Sequence, residues 1–86
     1  MAEDVVYYAI VPNGRSANEP SGLARRTFTS AGRLDEALRK DLTWQRDSAI
    51  YEWEHGEDPG ADLIEISAAD AERLIERFRV AWGTAG

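Results

Sequence analysis

The sequence predicts an α+β fold, in which a four-stranded, mainly antiparallel sheet packs two helices on one of its faces. Three observations favour this class. Each half of the chain contains two short segments that are typical of strands, and each half ends in a segment whose apolar residues have helical spacing. Clusters of Gly, Pro, Asn, Asp and Ser separate these segments. The predicted order is β-β-α-β-β-α, and the 86 residues are expected to form one compact domain, residues 1–86.

The first half of the chain predicts a hairpin followed by a helix. Residues 5–11 form an uninterrupted β-branched and aromatic run, which is typical of a strand covered on both faces. Residues 12–22 are rich in Pro, Gly, Asn and Ser, and we expect them to form a mobile loop. Residues 23–29 alternate and predict the second strand. Residues 32–42 carry apolar residues at helical spacing, with acidic residues first and basic residues last, which predicts a helix.

The second half predicts another hairpin. Residues 48–54 alternate, so that Tyr51 and Trp53 point to one face of a strand. Ile50 points to the opposite face, together with the glutamates. Residues 62–66 alternate in the same way, and the seven turn-rich residues before them favour a hairpin between the two segments.

The last predicted element is a helix that begins at Ser67. This serine is a good N-cap, because Asp70 follows it three positions later. One stripe of apolar residues runs along the helix: Ala71, Leu74, Ile75, Phe78 and Trp82. Gly83 ends the helix, and residues 83–86 are expected to be mobile.

Charge is divided unevenly along the chain, whose formal net charge is −6. Residues 1–46 carry seven basic and six acidic side chains, whereas residues 47–86 carry three basic and ten acidic ones. Residues 47–65 contain seven carboxylates and no Lys or Arg. This acidity argues against nonspecific binding to nucleic acid or to an anionic membrane, and it favours a basic partner.

The composition does not indicate an enzyme. The chain has no cysteine, a single histidine (His55) and no glycine-rich phosphate-binding motif. We therefore expect no catalytic residue, no cofactor and no structural metal. An acidic N-terminus precedes only seven consecutive apolar residues, 5–11, which predicts neither a signal peptide nor a membrane span. The expected location is the cytoplasm.

A non-enzymatic protein-interaction module is the function that these patterns favour. Two short helices cannot cover every aromatic residue of the sheet, and an exposed aromatic patch bordered by carboxylates suits a protein partner. The candidate interaction surface consists of Tyr51, Trp53, Glu52, Glu54, Glu57 and Asp58. Its partner would be a basic protein or a second copy of the chain. An inhibitor or immunity-type protein that occludes a cationic site is one specific form of this hypothesis.

Two alternatives remain open at this point. A nucleic-acid or nucleotide-binding domain would use a basic patch around the first hairpin, formed by Arg15, Arg25, Arg26 and Arg33. A weak divalent-cation site would use the carboxylates of residues 54–62. A structural hypothesis competes with both: Arg25 and Arg26 pair with the acidic segment and so engage Glu52 and Glu54.

Three stretches of the sequence resemble small uncharacterised proteins of high-GC Gram-positive bacteria: YYAIVP, GLARRTFTSAGRLDEALRKDLTW and DLIEIS. None of the three is a catalytic signature. The resemblance implies a compact bacterial domain without an assigned activity.

Overall fold

The computed structural model describes residues 4–16, 18–56 and 60–83, which form five strands and two helices. The elements in chain order are β1 (Asp4–Pro12), β2 (Gly22–Thr29), β3 (Gly32–Leu38), β4 (Trp44–Arg46), α1 (Ala49–Glu54), β5 (Ala61–Ile66) and α2 (Ala68–Gly83). The strands form one sheet in the order β4-β3-β2-β1-β5, and every neighbouring pair is antiparallel. The α+β class and the antiparallel sheet are confirmed, whereas the predicted four strands and the order β-β-α-β-β-α are corrected.

Residues 32–42 form β3 and the start of a turn instead of the predicted helix. The reason lies across the strand pair: Arg26 is the partner of Asp35, and Arg25 is the partner of Glu36. The two acidic residues therefore complement arginines on β2, not the dipole of a helix. Opposite charges at facing positions stabilise strand pairing, which local helical spacing cannot reveal.

A tight turn at residues 39–43 also excludes a helix in this segment. Leu42 has a φ of 66°, which is incompatible with a right-handed helix. The backbone N–H of Leu42 donates to the carbonyl of Arg39, and the N–H of Arg39 donates to the carbonyl of Thr43, both at 2.8 Å. The turn joins β3 to β4 as a hairpin.

Residues 48–54 contain a helix, α1, where alternation predicts a strand. The carboxylate of Asp47 accepts the backbone N–H of Ala49 at 2.7 Å, just before the first turn. Helical geometry places Ile50, three to four residues before Trp53 and Glu54, on the face that meets the sheet. Ile50 is consequently 1% exposed, and the predicted inward and outward sides of this segment do not apply.

The two helices lie on opposite faces of the sheet, which corrects the prediction that both share one face. Leu23 and Ala24 are consecutive in β2 and both are almost fully buried. Because consecutive strand residues point to opposite faces, both faces must be covered. Leu23 packs in a cluster with Leu74 and Phe78 of α2, whereas Ala24 packs in a second cluster with Ile50 of α1.

The predicted first hairpin and last helix are present. β1 pairs with β2 over seven facing positions, from Asp4 opposite Phe28 to Ile10 opposite Gly22. The hydroxyl of Ser67 accepts the backbone N–H of Asp70 at 3.1 Å, as expected for the cap of α2.

The second predicted hairpin, between residues 48–54 and 62–66, is not formed. β5 pairs instead with β1, from Tyr7 opposite Ile66 to Pro12 opposite Ala61.

Within the part of the chain that the structure describes, neither helix is long and apolar enough to cross a membrane. The predictions that residues 12–22 and 83–86 are mobile include residues 17 and 84–86, which lie outside the described residues.

Candidate functional site

The short helix α1 carries two partly exposed aromatic side chains. Tyr51 is 46% exposed and Trp53 is 40% exposed. Tyr51 stacks on His55 with ring centroids 4.0 Å apart, and the Nδ1 atom of His55 lies 2.8 Å from the carbonyl oxygen of Tyr51. Trp53 rests on Tyr8 of β1, with centroids 6.3 Å apart. Both aromatic residues are thus held in place while part of each ring faces solvent.

Carboxylates lie on α1 itself and on the neighbouring strand β5. Glu52 accepts a hydrogen bond from the hydroxyl of Ser48 at 2.7 Å and remains partly exposed. Glu65 of β5 is exposed and faces Tyr8 across the strand pair, on the side of the sheet that α1 covers. We call the group formed by these residues the α1 surface: Tyr8, Tyr51, Glu52, Trp53, Glu54 and Glu65.

Arg26 lies beneath the α1 surface and anchors it. This residue is 4% exposed. Its Nε and Nη2 atoms donate to the two carboxylate oxygens of Asp35 at 2.7 and 2.9 Å, and its Nη1 atom donates to Glu54 at 2.8 Å. One guanidinium therefore joins β2, β3 and α1. Two carboxylates against one cation leave this cluster with a net charge of −1.

The pKa values of the cluster follow from these contacts. The hydrogen bond from Arg26 lowers the pKa of Glu54, because it stabilises the charged carboxylate. Hydrogen bonds to Asp35 and Glu54 raise the pKa of Arg26 further above its ordinary value. Burial raises the pKa of Tyr8, and the nearby carboxylate of Glu65 acts in the same direction. Around neutral pH Glu54 and Arg26 are therefore charged and Tyr8 is neutral.

Replacing Glu54 with Gln is expected to make stability less sensitive to acid. A lowered pKa in the folded state contributes stability above the ordinary glutamate pKa, and this contribution is lost as the pH falls below about 4.5. The side chain of Glu54 is 34% exposed, so the contribution is about 1 kcal/mol at most. Urea denaturation at pH 7 should find Glu54→Gln slightly less stable than the native chain, and the difference should shrink as the pH falls from 7 to 3. A difference that is constant between these two pH values would contradict the assignment.

The pairing hypothesis is confirmed for Glu54 and corrected for Glu52. Arg26 contacts Glu54 as expected, although Glu54 lies on a helix and Asp35 supplies the other two hydrogen bonds. Glu52 binds Ser48 instead of an arginine. The sequence does not indicate the role of Asp35, because this role depends on its position opposite Arg26 in the β2–β3 pair. It does not indicate the roles of Tyr8 and Glu65 either, because only the folded sheet brings them close to α1.

The structure does not bring the four arginines of the predicted basic patch together. Arg25 points to the face opposite Arg26, where its Nε atom donates to Glu36 at 2.9 Å. The Arg25 guanidinium also lies 4.1 Å from the centre of the Trp44 ring. Arg15 follows β1, and Arg33 lies at the other end of the sheet, opposite Phe28. The two central arginines are already paired with carboxylates, which leaves the nucleic-acid alternative with less support.

The candidate cation site of residues 54–62 depends on Glu57 and Asp58, which lie outside the described residues. Within residues 4–16, 18–56 and 60–83, no group of three or more carboxylate or histidine side chains lies close enough together to hold a metal ion. Glu57 and Asp58 also belong to the candidate interaction surface, whose described part is Tyr51, Glu52, Trp53 and Glu54.

Comparison with known proteins does not add a relative. No family model, no curated protein and no solved structure matches the chain. The resemblance to small bacterial proteins therefore stays a prediction, and proposals about function depend on the geometry of the α1 surface.

Proposed function

We propose that this protein is a non-enzymatic interaction module, which binds a basic protein partner through the α1 surface. One observation carries the proposal: Tyr51 and Trp53 are both exposed on a helix of six residues that also carries Glu52 and Glu54. Tyr and Trp are the side chains that most often dominate the energy of protein interfaces. They also bring a large contact area with few rotatable bonds.

The α1 surface is fixed before a partner arrives. Ile50 anchors the inner side of α1 in the core, and Glu54 is held by the buried guanidinium of Arg26. Trp53 is supported by Tyr8 from below. A surface that is already ordered loses little conformational entropy on binding, which favours affinity.

The charge of the α1 surface selects the partner. Glu52 and Glu65 form no ion pair with a described lysine or arginine, and Glu54 shares one guanidinium with Asp35. A cationic partner would be attracted during the encounter and would neutralise these carboxylates in the complex. A protein that occludes the cationic site of another protein, as an inhibitor or immunity protein does, has this combination of features.

A capture experiment with three baits tests the proposal. The first bait is the native chain, and the second combines Tyr51→Ser with Glu52→Gln and Glu65→Gln. The third is a matched control on α2, which combines Val80→Ser with Glu72→Gln and Glu76→Gln. Both variants lose two negative charges and one large exposed side chain. Thermal denaturation should show that both remain folded, since none of these side chains supports the buried clusters.

We expect the native and α2 baits to retain one basic protein that the α1 bait loses. The purified partner should then bind the α1 variant at least about tenfold more weakly than the native chain, a loss of roughly 1.4 kcal/mol. Raised salt should slow its association. The same set of captured proteins on all three baits would contradict the proposal, and so would a partner that binds the α1 variant with native affinity.

A further inference from the structure

β5 forms one edge of the sheet, beside the α1 surface. Its six residues pair with β1 on one side only, because the strand order is β4-β3-β2-β1-β5. Among the residues that the structure describes, no strand lies on the outer side of β5. An edge strand of this length presents backbone donors and acceptors to which another strand can bind.

The register shows which backbone groups face outward. The N–H of Asn13 donates to the carbonyl of Gly60 at 3.1 Å, so these two residues form a hydrogen-bonded pair. Hydrogen-bonded and non-hydrogen-bonded pairs alternate along antiparallel strands. Two and four residues further along, Asp62 and Ile64 therefore direct their backbone groups to β1. Leu63 and Glu65 direct their N–H and carbonyl groups away from the sheet.

The side chains of β5 indicate which side chains a strand bound at its outer edge would need. Asp62 and Glu65 are exposed, and Ile64 between them is 38% exposed. β5 contains no basic residue. Proteins commonly protect an exposed edge with lysines or a proline, but here the charges are both negative. Lysine or arginine opposite the two carboxylates and an apolar residue opposite Ile64 would complement this edge.

A second copy of the chain would complement the outer edge of β5 poorly. Pairing of β5 with its own copy would bring two aspartates and two glutamates to one seam, without a cation from either strand. Each copy also has a net charge of −6, which opposes self-association at moderate salt. The charge distribution therefore favours a basic occupant over a self-associated one.

We propose that an extended basic segment of the partner adds to β5 as an antiparallel sixth strand. Backbone hydrogen bonds to Leu63 and Glu65 hold it, and basic side chains lie opposite Asp62 and Glu65. Antiparallel addition continues the pattern of the existing sheet and is the more stable arrangement per residue. This inference rests on the proposed function, since it names how the basic partner binds next to the α1 surface.

Amide hydrogen exchange measured by NMR tests the proposal with a defined probe. The probe is the capped hexapeptide Thr-Lys-Val-Thr-Lys-Thr, which places Lys opposite Asp62 and Glu65 and Val opposite Ile64. At saturating peptide, the exchange of the Leu63 and Glu65 amides should slow by roughly tenfold or more. The amide of Ile64, which already faces β1, is the internal reference and should exchange slowly with and without peptide.

Two control peptides separate strand addition from simple charge attraction. One carries N-methyl groups at the first lysine and the second threonine, which removes the N–H groups that would face β5 while keeping both charges. The other has Glu in place of Lys. Both controls should leave the exchange of Leu63 and Glu65 unchanged.

Each outcome decides the proposal. Protection by the lysine peptide that the N-methylated peptide does not produce supports strand addition. Binding of the lysine peptide without protection of Leu63 and Glu65 overturns it but leaves the proposed function intact, and absence of binding at millimolar peptide overturns it as well. Protection without peptide, increasing with protein concentration, would assign the edge to a second copy and overturn the proposal. The proposed function is decided separately by the capture with three baits.

Discussion

Replacing Arg26 with Glu is expected to destabilise the protein far more than reversing the charge of the neighbouring Arg25. The native guanidinium is buried and donates three hydrogen bonds to Asp35 and Glu54. Its removal leaves both carboxylates without their cation, and the new glutamate adds a third negative charge at the same place. Breaking a buried ion pair from one side costs about 3–5 kcal/mol. We expect a loss of at least that size in urea denaturation followed by tryptophan fluorescence.

The neighbouring residue provides a matched control. Arg25→Glu reverses the same charge one position away, but on the opposite face and at a more exposed site beside Glu36. It breaks one hydrogen bond and the contact with the Trp44 ring, for which we expect a loss of about 1–2 kcal/mol. Equal losses for the two variants would show that the buried network of Arg26 does not contribute as described.

Replacing Ile50 with Ala is expected to destabilise the protein by about 2–4 kcal/mol. Ile50 is among the most deeply buried large side chains and packs against Ala24 and Leu63 on the α1 side of the sheet. Truncation removes apolar contacts and leaves a cavity that α1 cannot fill without moving its other contacts. Thermal or urea denaturation measures the loss directly.

Tyr51→Ala is the matched control for this prediction. Tyr51 is the next residue in α1, but it is 46% exposed and stacks on the exposed ring of His55. We expect its replacement to change the stability by no more than about 0.5 kcal/mol. If residues 48–54 formed a strand with Tyr51 inward, the two variants would exchange their effects. The pair of measurements therefore tests both the helix and the face that it buries.

Ile50 and Glu54 connect the fold to the proposed function. They hold the inner side of α1, while Tyr51 and Trp53 remain partly exposed. A partner that binds the α1 surface would in turn stabilise the docked helix, because binding to the folded state alone raises its stability. Replacing Ile50, which lies outside the α1 surface, should consequently weaken partner binding by loosening α1.

Part of the candidate site could be predicted from the sequence. Exposure of Tyr51 and Trp53 and the acidity around them were expected, because a small chain with three Trp and seven carboxylates in residues 47–65 cannot bury all of them. The contributions of Tyr8 and Glu65 were not expected, since both come from strands that only the folded sheet brings beside α1. The pairing of Arg26 with Glu54 followed from charge, whereas the dominant contact with Asp35 required the strand register.

The sequence by itself determined the elements with long or unambiguous patterns. The uninterrupted apolar run of β1, the alternation of β2 and β5, and the capped amphipathic helix α2 each follow from local composition and spacing. The acidic character of residues 47–86 also follows from composition alone. In each case many residues point to the same answer, so that no tertiary contact is needed to decide.

Only the tertiary structure decided the states of β3 and α1, which are the reverse of the prediction. Each spans six or seven residues, fewer than two helical turns, and so few residues fit the periods of both a helix and a strand. For β3, the facing arginines of β2 stabilise the strand. For α1, burial of Ile50 against Ala24 and Leu63 stabilises the helix. The energies that select each state come from residues distant in the chain, and for this reason local spacing could not reveal them.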